Sequence, residues 1–213
     1  TTATIASSTV TSKGDVTAAA TMTGTITAHV DAVSVAVAGG QKGAIGVAIG
    51  AGVARNLIGF DGDDRKAVGV TASVDDASIT AAGLVSLDAE SAQTVNAYVN
   101  AVSVALAVST KSDSISASGS GVLAENRIAT DVEAWMGTAM DASPLAVVAK
   151  NVSLKAHDKS SIDARAYGVS VAGSFSPKLV SGALSIGVSL ARNEITSVVD
   201  AHIQNCAVTA TAG

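Results

Sequence analysis

Apolar and polar residues alternate with a period of two along most of the chain. Val85, Leu87 and Ala89 alternate with Ser86 and Asp88, and Val95, Ala97 and Val99 with Asn96 and Tyr98. Val152 and Leu154, Ile162 and Ala164, and Val199, Ala201 and Ile203 obey the same rule. Successive side chains of a strand point to opposite faces, so this spacing predicts one-sided β-strands. Residues 131–140 come nearest to a helical pattern, but their internal counterparts are strand-like, and a strand is expected there too. Three segments break the alternation: 32–38, 44–54 and 181–191 are apolar or small at both parities. Two-sided burial is expected of them, against a layer of the same unit or of a neighbouring chain. Between Val99 and Val102 the apolar parity steps by one residue, which predicts a sharp bend or bulge.

The pattern repeats. Val33-Ser34-Val35 returns as Val102-Ser103-Val104 and as Val169-Ser170-Val171. Ala54-Arg55-Asn56 returns as Ala124-Glu125-Asn126 and Ala191-Arg192-Asn193. Val16-Thr17 matches Val85-Ser86 and Val152-Ser153, and Ile26-Thr27-Ala28 matches Val95-Asn96-Ala97 and Ile162-Asp163-Ala164. One register joins these patches, so the chain is one continuous array of units of about 68 residues. Residues 32–100 and 101–168 are whole units, and 1–31 and 169–213 are partial ones. The array is cut at both ends, and residues 1–10 show neither the basic start nor the apolar run of a signal peptide. An excerpt from a longer array is therefore expected. Relative to its neighbours the first whole unit carries eight extra residues, 59–66, and the second carries five near 137–147; both are expected to be surface loops. Turns are expected at 39–43, 110–113 and 176–178, and breaks at Gly14-Asp15, Ala82-Gly83 and Lys150-Asn151. Asn56, Asn126 and Asn193 share a strand end, where asparagine tolerates the left-handed conformation and can stack into a ladder.

The fold expected first is an all-β, right-handed parallel β-helix, or β-solenoid, with about three coils of about 22 residues in each repeat. Stacked antiparallel hairpins, with 32–38 turning at 39–43 into 44–54, and a tandem β-sandwich are the alternatives. Composition favours thin layers: 48% of residues are hydrophobic but only 2% aromatic, so small side chains fill the core. The net charge of −5 argues against a nucleic-acid partner. The longest apolar stretch, 44–54, is half the roughly 20 residues of a spanning helix, so a transmembrane helix is not expected. Cys206, the one cysteine, lies in a strand pattern and is expected to be an inert thiol.

Residues 151–164 (NVSLKAHDKSSIDA), 101–109 (AVSVALAVS) and 187–195 (GVSLARNEI), with their copies, resemble the repeats of giant bacterial surface and secreted adhesin-like proteins of the filamentous-haemagglutinin type. The resemblance implies long β-solenoid rods that carry adhesive or enzymatic regions elsewhere. It implies no catalytic residues. A secreted or cell-surface bacterial location follows as an expectation, with a non-catalytic spacer role in an adhesin, matrix or surface layer. Neighbouring repeats of the same chain, laterally associated copies and surface polysaccharide are the expected partners.

Candidate chemistry is sparse. Asp61, Asp63 and Asp64 cluster on a glycine-containing loop, the residue types that hold Ca²⁺ through oxygen, but no Glu closes the loop. They are a weak Ca²⁺ candidate, and no other cofactor is expected. His29, His157 and His202 have no partners at metal-ligand spacing and are expected at the surface. Gly39, Gly40 and Gly43 lack the Gly-Lys-Ser/Thr ending of a phosphate cradle and are expected to make a strand turn. Asp75, Asp76, Glu125, Asp131 and Glu133 are the carboxylates from which a carbohydrate-active β-helix enzyme, the runner-up reading, would draw its acid and base. Five aromatics are few for a sugar groove. Thr21, Thr23, Thr25 and Thr27 share a strand face, but become Glu90, Ala92, Thr94 and Asn96 in the next unit, which disfavours a flat threonine grid.

Overall fold

Each repeat lies against the next in unbroken register. In the computed structural model, which describes residues 1–140, 142–177 and 180–211, Val33 pairs with Val102 and Val102 with Val169. The strands are β1 (Thr2–Ala6), β2 (Thr9–Ser12), β3 (Val16–Gly40), β4 (Ala44–Ile58), β5 (Phe60–Asp61), β6 (Asp64–Arg65), β7 (Val68–Asp75), β8 (Ser78–Ala81) and β9 (Leu84–Ser109). They continue with β10 (Ser114–Ile128), β11 (Thr130–Gly137), β12 (Leu145–Ala149), β13 (Asn151–Asp158), β14 (Ser161–Phe175), β15 (Ser181–Ile195), β16 (Val198–Gln204) and β17 (Cys206–Ala210). Among the described residues there is no helix.

The described residues are all-β, and their four large sheets are parallel. One sheet runs β1-β7-β11-β16, a second β2-β8-β12-β17 and a third β4-β10-β15. The fourth is built on β9, which β3 flanks on one side and β13 and β14 flank on the other. In each sheet a strand's neighbour is its own counterpart one repeat away. Thr4 pairs with Ser73, Ala124 with Ala191 and Val147 with Val208. The pairing distance is thus the whole repeat, not the third of a repeat expected of 22-residue coils. Parallel strands need a long connection between them, and here the rest of the repeat supplies it. The hairpin alternative does not hold for 32–54, because β3 pairs with β9 and β4 with β10 rather than with each other. The antiparallel pair β5–β6 is the extra loop 59–66, exposed as expected. The second extra piece falls between β11 and β12, where Asp141 lies outside the described residues.

Each repeat has two parts. In the first, three sheets enclose one core: Val70, Ala72 and Val74 from β7, Ile79 from β8, and Val85, Leu87 and Ala89 from β9, with Val132, Met136 and Val147 of the next repeat stacked on them. The turns between these sheets stack as well, with Gly83 N–H donating to the Gly14 carbonyl (3.1 Å) and Lys150 N–H to the Gly83 carbonyl (2.9 Å). In the second part, the later halves of β3, β9 and β14 lie face to face with β4, β10 and β15 as a two-layered blade. The Ser103 hydroxyl donates across it to the Ala48 carbonyl (2.8 Å). A Cβ on Gly46 would stand 2.8 Å from the Leu106 carbonyl oxygen, and one on Gly168 equally close to that of Val188. The layers therefore approach as closely as glycine permits.

The blade inverts the usual rule. Ala101, Ser103, Ala105, Ala107 and Ser109 point inward with Ala44, Ala48, Ser114, Ser116, Ser118 and Ser120. Val33, Val35, Val37, Ile45, Ile49, Ile115, Leu184 and Ile186 point out into solvent, each more than half exposed. The inward parity runs unbroken through Val95, Val99, Ala101 and Ser103, so no bulge lies between Val99 and Val102. The valines of the Val-Ser-Val motif face outward and its serine inward.

Candidate functional site: the inter-repeat seam and the blade faces

The end of β4, β10 and β15 carries the densest side-chain bonding between repeats. Asn56 Nδ2 donates to Asn126 Oδ1 (2.7 Å), and Asn126 Nδ2 to Asn193 Oδ1 (2.9 Å). Asn56 and Asn126 are buried, so the ladder satisfies groups that water does not reach. The expected stack is present, but its residues lie on extended backbone. The left-handed corner is elsewhere, at Ser7, Asp76 and Asn205, between the first two sheets. There the Asn205 amide donates to the Ala139 and Ala142 carbonyls (2.7 and 2.9 Å).

Beside the ladder, charge alternates from repeat to repeat. Arg55, Glu125 and Arg192 share one row, and Glu125 is held by Arg55 Nε (2.7 Å) and Arg192 (3.4 Å). In the next outward position Arg127 Nε meets Glu194 (2.9 Å). The Arg127 side chain is only 7% exposed, and its guanidinium lies 3.9 Å over the Phe60 ring. Opposite charges in cross-strand pairs stabilise one register, and a slip would set like charges together. The alternation was visible in the aligned pairs Arg55-Asn56, Glu125-Asn126 and Arg192-Asn193. Arg127 with Phe60 was not, because the insertion carries Phe60 out of the repeat's register.

The weak Ca²⁺ candidates do not converge. Asp61 pairs with Lys66 (2.6 Å), and Asp63 lies between Arg55 and Arg127 (3.3 Å each). Asp64 sits opposite Asp61 in the β5–β6 hairpin. Among the described residues no three acidic, histidine or cysteine side chains stand together as a metal-binding group. The carboxylates of the runner-up enzyme reading do not gather at one place. Glu125 is in the ion-paired row and Asp131 is bound by Arg65. Asp75 and Glu133 line a shallow cleft of about 310 Å³ with Trp135 and His202. The His202 ring stacks on Trp135 with centroids 6.0 Å apart, and its Nδ1 stands 2.8 Å from Asp200. The His29 ring packs tilted against Tyr98, centroids 5.0 Å apart, beside a broader, open depression of about 440 Å³. Burial pushes the Cys206 thiol up, which keeps it protonated at neutral pH, in line with an inert thiol.

Asp158 ties two sheets together at the end of β13. It accepts from the Ser160 N–H (3.0 Å), the Ser160 hydroxyl and the Thr130 hydroxyl (3.2 Å). Burial works to raise its pKa, but hydrogen bonds from Ser160, Ser197 and Thr130 outweigh it and hold the carboxyl below its ordinary 3.8. The hydrogen bond from Arg127 likewise lowers Glu194 from 4.5. A carboxylate lowered on folding contributes stability above its unfolded pKa and loses it as pH falls through the folded one. The melting temperature should therefore hold steady from neutral pH down to about 5 and fall below about 4. In Asp158→Asn the fall should be shallower; an unchanged acid limb in calorimetry would remove Asp158 from this role.

These features define a class: an all-β repeat protein whose parallel sheets are made by stacking one repeat on the next. No family model, curated protein or solved structure matches the chain. No helix among the described residues is long and apolar enough to cross a membrane.

Proposed function

We propose that the chain is a stretch of β-solenoid, one turn per repeat, serving as a non-catalytic spacer in a large bacterial surface or secreted adhesin, matrix or surface-layer protein. The observation that carries this reading is the register: from Val16 to Gly40, every residue of β3 has its partner one repeat on in β9. A chain built this way grows along one axis as copies are added. The asparagine ladder and the alternating charges support the same reading, since both work only between repeats. The ion pairing of Glu125 and Asp131 supports a structural role for them over the runner-up, a carbohydrate-active enzyme. The extracellular bacterial setting rests on the resemblance of the repeat motifs.

The geometry makes a numerical demand. Parallel strands lie about 4.8 Å apart, so each added repeat should lengthen the rod by about 4.8 Å, whereas three turns per repeat would add about 14 Å. Small-angle scattering on arrays of increasing copy number measures the slope directly. A slope near that of beads on a string, one globule for each repeat, would sink the solenoid.

A further inference from the structure

We propose that the trough beside Tyr98, on the outer face of β3, β9 and β14, binds a neutral, extended glycan that lies along the stacking axis with its sugar rings against an aromatic wall. The trough exists only because three repeats stand in register, so the inference rests on the stacked-repeat reading.

Two outward rows make the trough. Thr27, Asn96 and Asp163 pair across the sheet in one, and His29, Tyr98 and Arg165 in the other. Ala28 and Ala97 complete the lining between them. The Ala97 side chain is buried, so the floor there is backbone. Each row steps from repeat to repeat, and the trough therefore follows the axis along which repeats stack. The tall wall is aromatic. The Tyr98 ring packs tilted against His29, centroids 5.0 Å apart, and against Tyr167 at 5.8 Å. Tyr98 is 39% exposed and Tyr167 50%. Both tyrosines of the chain are here, although aromatics are only 2% of its residues. They do not hold equivalent positions, since Tyr98 pairs with Arg165 and Tyr167 with Asn100. The cluster is thus assembled by stacking and is not a by-product of the repeat.

Three observations select a glycan. First, exposed aromatic rings stand beside placed polar groups: the Thr27 hydroxyl, the Asn96 amide and the Asp163 carboxylate of the low row. A pyranose has the matching surfaces, an apolar face of C–H groups and a rim of hydroxyls that donate and accept. Sites that combine aromatic walls with a few polar groups hold ligands of this kind. Second, the charged groups already have partners. Arg165 donates to Asp163 (3.2 Å), and Asp31 accepts from Asn100 (2.7 Å) and faces His29 (3.3 Å). The trough therefore favours a neutral ligand over an anionic polymer or a cation. Third, the trough is straight. Strands stack about 4.8 Å apart, so side chains in a row recur at close to the length of one sugar unit. An extended glycan keeps successive rings over successive repeats, and a coiled one leaves the trough. The sheet face of a second copy fits worse, because it would strip water from Asn96 and from the Asp163–Arg165 pair.

The test is calorimetric titration of the whole chain with cellohexaose, mannohexaose and N-acetylchitohexaose, which are extended, and with maltohexaose, which coils. Circular dichroism checks the fold. At least one extended hexaose should bind at millimolar concentration, and maltohexaose should not. Tyr98→Ala should weaken that binding by about tenfold. Tyr98→Phe, which keeps the ring, should retain it, and Trp135→Ala, on another sheet, should leave it unchanged. No binding by any extended hexaose overturns the proposal but leaves the stacked-repeat reading standing, since rod length is measured separately. Binding that survives Tyr98→Ala overturns it by placing the sugar elsewhere. Equal binding of maltohexaose, or tighter binding of a galacturonate hexamer, overturns the extended, neutral class. Dimers in sedimentation that Tyr98→Ala breaks, without sugar binding, overturn it in favour of a second copy.

Discussion

Replacing Asn126 with alanine should destabilise the protein by about 1–3 kcal/mol. The ring of causes is short. Asn126 is fully buried and accepts from Asn56 while donating to Asn193. Its loss leaves the buried Asn56 donor without a partner, which costs about 1–3 kcal/mol, while the exposed Asn193 oxygen can turn to water. The cost belongs to the ladder and not to the residue, so it should be strongly non-additive. In the Asn56→Ala background the Asn126→Ala step should cost less, because Asn56 no longer needs an acceptor. Denaturant melts of the two singles and the double close the cycle. Additive costs would mean that the three amides do not form one unit.

The second large effect is a contrast within one strand. Leu87→Ala should cost about 2–5 kcal/mol, because Leu87 is buried among Val70, Ile79, Val85 and Val132, where a cavity cannot refill. Leu106→Ala, nineteen residues further along β9, should cost only about 1 kcal/mol, since Leu106 is already 41% exposed. The two leucines differ in parity: 87 shares the inward parity with 99, 101 and 103, and 106 does not. Equal costs for the two substitutions would show that the blade turns its large side chains inward, and the inverted blade would fall.

The inversion also limits what composition reveals. A reader who assigns large apolar residues to the inside must bend the strand between Val99 and Val102 to keep both valines buried. The strand runs straight instead. Its interior changes from Val and Leu, where three sheets surround a core, to Ala, Ser and Gly, where two sheets press together. Large side chains do not fit between layers that touch at Gly46 and Gly50, so they are displaced to the outer faces.

The repeat, its register, the two extra loops, the strand content and the asparagine stack were all legible in the chain itself. Each is a statement about which residues recur at which spacing, and stacked copies must satisfy the same bonds at the same positions. How many turns one repeat makes was decided only by the tertiary structure. A period of two inside a strand says nothing about where the chain next meets itself, and that depends on which sheets close around a core. The direction in which residues 32–38, 44–54 and 181–191 present their valines and isoleucines was decided there too. Alternating large and small residues have two faces, and only the spacing of the opposing layer selects which of them fits inside.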